Sequence, residues 1–68
     1  MKYIVQLYRS HAGKVFIEIW EGKLSTTSII RFAKRFNTRG SAYIAIGKMM
    51  NKHQECNFNH AKVIEVNE

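Results

Sequence analysis

The side chains most capable of metal or nucleophilic chemistry are His53, Cys56 and His60, spaced His-x2-Cys-x3-His. A helix end and the loop after it could bring them together, with His11 as a fourth ligand, and zinc sites draw on these residue types. The paired Cys-x2-Cys half-site is missing, however. A half-buried Cys56 among surface histidines is the plainer expectation, with no metal and no cofactor. Cys56 with His53 or His60 is also the one nearby nucleophile–base pair, and only Glu55 stands close enough in sequence to orient the base. Glu18 and Glu21 flank Trp20 at a strand end, where Glu18 reads as an exposed strand residue rather than half of an acid–base pair. No glycine-rich stretch has the spacing of a phosphate loop. Length argues the same way. A domain of 68 residues buries only roughly 60% of its unfolded surface, and a substrate pocket of ~300 Å³ would consume much of its core. The expectation is a protein that is not an enzyme.

Ionic chemistry is better represented. Lys+Arg is 11 and Asp+Glu is 5, a net charge of +6, and all five acids are glutamate. None lies between Glu21 and Glu55, a window that holds Lys23, Arg31, Lys34, Arg35, Arg39, Lys48 and Lys52. Folding is expected to gather these into one positive face, of the kind that attracts nucleic acid, an acidic protein surface or a nucleoprotein. The densest run is Arg31, Lys34, Arg35 and Arg39. Arg39 falls in the first turn of the predicted helix, where a cation opposes the helix dipole and the free N–H groups favour an anion. Lys48 and Lys52 stand at i and i+4 and extend the stripe along the helix. Arg31, Lys34, Arg35, Arg39, Lys48 and Lys52 are therefore the candidate partner- or nucleic-acid-binding residues. A solvated face that aids solubility is the alternative use of the same charges. Aromatic residues that could stack bases are Tyr3, Tyr8, Phe16, Trp20 and Tyr43, with Tyr8, Trp20 and Tyr43 expected on the surface and the others in the core.

The elements that must position these groups are legible from periodicity. Residues 2–9 alternate, Tyr3, Val5 and Leu7 against Ile4, Gln6 and Tyr8. Residues 14–20 alternate again, Val15, Ile17 and Ile19 against Phe16, Glu18 and Trp20, and Ser10 to Gly13 supplies the turn of a hairpin. Glu21-Gly22 ends the second strand. Ser25, Thr26, Thr27 and Ser28 suit the cap of a short helical turn, followed by an irregular segment and a brief extended stretch at Lys34–Asn37. Thr38, or alternatively Asn37, caps the main helix over about residues 39–53, whose apolar spacing is Ala42, Ala45, Ile46, Met49 and His53. Gly40 and Gly47 weaken that helix by roughly 1 kcal/mol each, and Gly47 is expected to allow close packing on the sheet. Residues 57–60 read as a loop and Ala61–Val66 as a final strand.

The expected fold is α+β: a small antiparallel sheet, made of the N-terminal hairpin plus the C-terminal strand, packed against one main amphipathic helix. Residues 1–68 form a single domain. A lone cysteine excludes an intrachain disulfide and points to a reducing cytoplasm. No apolar run approaches the ~18 residues of a membrane span, and the N-terminus is not expected to be a signal peptide.

At Phe32-Ala-Lys-Arg-Phe-Asn-Thr-Arg-Gly-Ser-Ala42 the chain resembles a recurring pattern of small phage and prophage proteins. In that pattern a hairpin is followed by Ala-basic-basic-aromatic-x-Thr, a helix carrying Ala and Ile, and a strand ending like Ala-x-Val-Ile-Glu-Val. Ala33, Lys34, Arg35, Phe36, Thr38, Ala42, Ala45, Ile46 and Ala61–Val66 carry the match, mostly at structural positions: Ala33 and Phe36 would plug the core and Thr38 cap the helix. Size, basic charge and layout are also similar to those of small anti-CRISPR proteins that inhibit type I surveillance complexes. The resemblance implies a phage or mobile-element inhibitor acting in the bacterial host cytoplasm. It would set clustered lysines and arginines, here Lys34, Arg35 and Arg39, against the guide-binding part of a host nucleoprotein and block a nucleic-acid path. Direct binding of DNA or RNA is the other expectation from the charge.

Overall fold

The structure is a computed structural model that describes residues 1–9, 13–52 and 58–67. Among these residues four strands and one α-helix follow in the order β1 (Lys2–Arg9), β2 (Gly13–Trp20), β3 (Lys23–Thr27), a 3-10 turn (Ile30–Phe32), α1 (Arg39–Lys52) and β4 (Phe58–Val66). The sheet is antiparallel, in the order β3-β2-β1-β4. The expected small α+β fold is present, with one strand more than the periodicity foretold.

That additional strand is β3. Its Lys-Leu-Ser-Thr-Thr sequence is too polar for an apolar alternation, yet Thr and Leu pack acceptably on a half-covered edge. The turn before it makes the strand. Glu21 and Gly22 both have positive φ, 52° and 75°, and Trp20 pairs with Lys23 across them. Two left-handed residues give the twist that a two-residue hairpin needs. Glutamate is strained there and asparagine is not, so Glu21→Asn is expected to stabilise the domain by ~0.5–1 kcal/mol, read as a higher urea midpoint at unchanged slope. Ser25, Thr26 and Thr27, expected to cap a helical turn, belong to β3 instead; the 3-10 turn has no side-chain cap, and the Ile29 N–H donates to Thr27 Oγ1 at 3.1 Å ahead of it.

Alternation divides the sheet into two faces. Val5, Leu7, Val15 and Ile17 lie beneath α1, where Ala42, Ala45, Met49 and Phe36 complete a buried cluster. The small Ala42 and Ala45 let the helix backbone approach the sheet, and Met49, fully buried, fills the space beyond them. A 14-residue helix with two glycines is marginal in water, so this packing holds it. Thr38 is its N-cap: the Ser41 N–H donates to Thr38 Oγ1 at 3.1 Å. Gly47 does not serve close packing. It is exposed, and a Cβ built there meets nothing within 4 Å. Gly47→Ala is therefore expected to gain about 0.5–1 kcal/mol from helix propensity alone, with a melting temperature several degrees higher.

The strands β1 and β2 pair only over Gln6–Arg9 and Gly13–Phe16, then diverge. The chain just before α1 enters the fork. The Lys34 N–H donates to the Ile17 carbonyl at 2.9 Å, the Phe36 N–H to the Tyr3 carbonyl at 2.7 Å, and the Tyr3 N–H to the Phe36 carbonyl at 2.9 Å. These bonds satisfy strand groups that the divergence would leave unpaired. Ala33 packs with Ile4 and Phe16 on one face, while Phe36 joins the helix cluster on the other. The segment thus passes through the plane of the sheet, and Ala33 and Phe36 plug the core on either side.

Candidate nucleic-acid interface

Of the six basic residues singled out by the sequence, the five with described side chains divide between two kinds of role. Arg31 is exposed on the 3-10 turn, its guanidinium 5.2 Å from the Phe32 ring centre. Lys34 is exposed. Arg35 is half-buried, and its Nη1 donates to the carbonyls of Ile30 at 3.0 Å and Ala33 at 2.8 Å. Those contacts close the 3-10 turn from within. Arg39 lies 5.0 Å over the Tyr3 ring, and its Nη2 stands 3.8 Å from Glu65 Oε2. This gives a cation in the first helical turn a local reason: it ties α1 to β1 and β4. Both partners are well exposed, so the pair contributes at most about 1 kcal/mol. Lys48 is exposed on α1, at the rim of an apolar groove of about 300 Å³ that includes Ile19, Leu24, Phe36 and Ile44. Lys52 ends the helix, and its side chain lies outside the described residues, as do His53 and Cys56.

Arg35 and Lys34 can be separated by stability. Arg35→Ala removes charge-assisted bonds to two carbonyls and is expected to cost ~1–3 kcal/mol, whereas Lys34→Ala should stay within about 0.5 kcal/mol of the parent. Equal effects in urea titrations would contradict the assignment of Arg35 to the 3-10 turn.

The face of the sheet away from α1 holds lysines beyond the six candidates: Lys23, counted in the basic window, and Lys14 and Lys62, which lie outside it. Register and alternation put Lys14 opposite Tyr8, Lys62 opposite Gln6, and Lys23 opposite Trp20 on this face. Lys14, Lys23 and Lys62 are exposed and make no ion pair among the described residues. Lys2, on the same face, donates to Asn37 Oδ1. Glu18 is the acid here, and it is half-buried. Only the segment through Ala33 covers part of the face, over Ile4 and Phe16. Trp20 is 65% exposed and Tyr8 39%, so an exposed ring stands beside a lysine at each end of β2, Tyr8 with Lys14 and Trp20 with Lys23. As expected, Tyr8, Trp20 and Tyr43 are exposed, and Phe16 is buried. The signal for the lysines was available in strand parity: Lys14 shares the parity of Phe16, Glu18 and Trp20.

Where β4 leaves strict register, this face has a cleft. Gln6 pairs with Lys62 and Tyr8 with Asn59, so β4 spends two residues, His60 and Ala61, against Leu7 alone. His60 takes a positive φ of 56°, as the extra residue of a bulge can. Its ring meets Tyr8 edge-on, with centroids 6.1 Å apart and planes at 89°. No group of three or more His, Cys, Asp or Glu among the described residues could hold a metal ion. No helix among them is long and apolar enough to cross a membrane.

Fold and surface together define a small α+β protein with one face of its sheet covered in part by a helix and the other partly open, with exposed lysines and aromatic rings. No protein-family model, curated protein or solved structure matches the chain.

Proposed function

We propose that the chain is a non-enzymatic binding protein that occupies a nucleic-acid path with its basic surface. Its partner is a host nucleoprotein, of which a type I CRISPR surveillance complex in the bacterial cytoplasm is the kind implied by the phage-protein resemblance at residues 32–42. The observation that supports this best is the open sheet face. Lys14, Lys23 and Lys62 project from it unpaired among the described residues, beside exposed Tyr8 and Trp20. Lysines that make no ion pair among the described residues are available for phosphates or for acidic side chains that stand in for them. Lys34 and Arg31 add to this surface, while Arg35 and Arg39 are spent on the fold.

A second reading, direct binding of single strands, is favoured by the rings themselves. Exposed aromatics among lysines on a sheet suit bases that stack and phosphates that pair. A pull-down from bacterial lysate, with and without nuclease and read by mass spectrometry, separates the two. A defined protein complex that survives nuclease supports the inhibitor. Diverse nucleic-acid-binding proteins that vanish with nuclease support direct binding. Recovery of neither would sink both.

A further inference from the structure

We infer that the cleft at the β4 bulge is a nucleotide pocket that receives one base of a single strand together with its phosphate. The inference rests on the direct-binding reading and gives it a site. The cleft has a volume of about 370 Å³ and is lined by Gln6, Tyr8, His60, Ala61 and Lys62, at the small end of the range for ligand pockets.

Each of its polar and aromatic groups has a use for a nucleotide. Tyr8 and His60 stand at 89° to each other, so a base stacked on one ring meets the other at its edge. Aromatic faces accept any base in this way. The Gln6 side chain makes no hydrogen bond among the described residues, and its amide offers both a donor and an acceptor. That is the equipment for reading a base edge. Lys62 sits directly opposite Gln6 in the sheet and supplies the cation for a phosphate. An acidic peptide would use Lys62 alone and leave the two rings and the amide idle, which is why a nucleotide is the better fit. His60 adds a point of its own. Glycine would take a φ of 56° without strain; histidine takes it with strain and sets an imidazole against Tyr8.

The test uses fluorescently labelled single-stranded DNA homopolymers of about eight nucleotides, within the span one small fold covers, at low salt. Tyr8→Ala is expected to weaken binding roughly 5- to 150-fold. Gln6→Ala should narrow the differences among the four homopolymers. His60→Gly is the sharpest variant, because its two effects run in opposite directions: the fold melts no lower than the parent, yet binding weakens. In the unmodified protein the Gln6 side-chain NH2 resonances should shift as the strand is added, a readout independent of any variant. If the strand binds but Tyr8→Ala and His60→Gly bind equally well and the Gln6 resonances stay still, the cleft is not the site, and direct binding elsewhere stands. If no homopolymer binds, the direct-binding reading falls and the pocket with it.

Discussion

Replacing Phe36 by alanine is expected to remove ~3–5 kcal/mol of stability, the cost typical of truncating a buried phenylalanine. Folded domains have about 5–15 kcal/mol in total, and small ones sit at the low end, so much of the variant should be unfolded at 37 °C. The effect is large because Phe36 does two things at once. Its side chain is 8% exposed and packs with Val5, Leu7, Ile17 and Met49 beneath α1. Its backbone bridges Tyr3 where β1 and β2 have parted. Loss of the ring leaves a cavity at the point where the wedge holds the fork, so the strand groups of Tyr3 and the helix face are both loosened. Urea unfolding followed by far-ultraviolet circular dichroism measures this. A cost below about 1 kcal/mol, the level of an ordinary surface change, would mean that the wedge adds little to the core.

The second large effect concerns binding. Changing Lys14, Lys23 and Lys62 together to glutamine lowers the net charge from +6 to +3, since three cations are removed. If each neutralises one phosphate of a single strand, the slope of log K against log salt should become shallower by roughly 2, at about 0.7 per contact. Affinity at low salt should fall by about two orders of magnitude or more. Stability should barely move, because all three side chains are exposed. Titrations at several salt concentrations, for a nucleic acid or for a nucleoprotein recovered from lysate, give both numbers. An unchanged slope would remove the open face from the binding surface and return attention to Lys48 and its apolar groove. Reversal of Arg35, by contrast, is a poor probe of binding, because its guanidinium closes the 3-10 turn and its loss is expected to weaken the fold itself.

Most of the architecture was legible in the chain because its signals are local. Alternation over residues 2–9 and 14–20 and the spacing of Ala42, Ala45 and Met49 depend only on the geometry of one strand or one helix. Thr38 caps α1 through an N–H three residues on, again a local event. The plugging positions Ala33 and Phe36 were expected only from the resemblance at residues 32–42, and they do pack on either side of the sheet. The third strand was missed for an equally specific reason. Its side chains are polar enough to pass for a cap, and the deciding feature, two successive residues at positive φ, belongs to the backbone of Glu21 and Gly22.

The candidate site was less legible, because membership of a face is settled by contacts between elements. A run of cations close in sequence suggests one patch, but the chain at Ala33–Phe36 turns through the sheet. Arg31 stays on the 3-10 turn, against Phe32, and Lys48 on the helix. Arg35 and Arg39 look free in the sequence and are held by carbonyls of residues 30 and 33 and by Tyr3 and Glu65. Lys14, Lys23 and Lys62, scattered over three strands, share one face only through the register of β1 with β2, of β2 with β3 and of β1 with β4, with Lys14 and Lys23 at opposite ends of β2. By itself the sequence determined the strands β1 and β2, β4 over residues 61–66, the helix with its cap, the excess of positive charge and the exposure of Tyr8, Trp20 and Tyr43; residues 58–60, read as a loop, join β4 only by lying against β1. Tertiary structure decided which side of the sheet the helix covers, and hence which lysines share the open side. A strand's alternation separates its residues into two sets, but only packing against another element determines which set meets water.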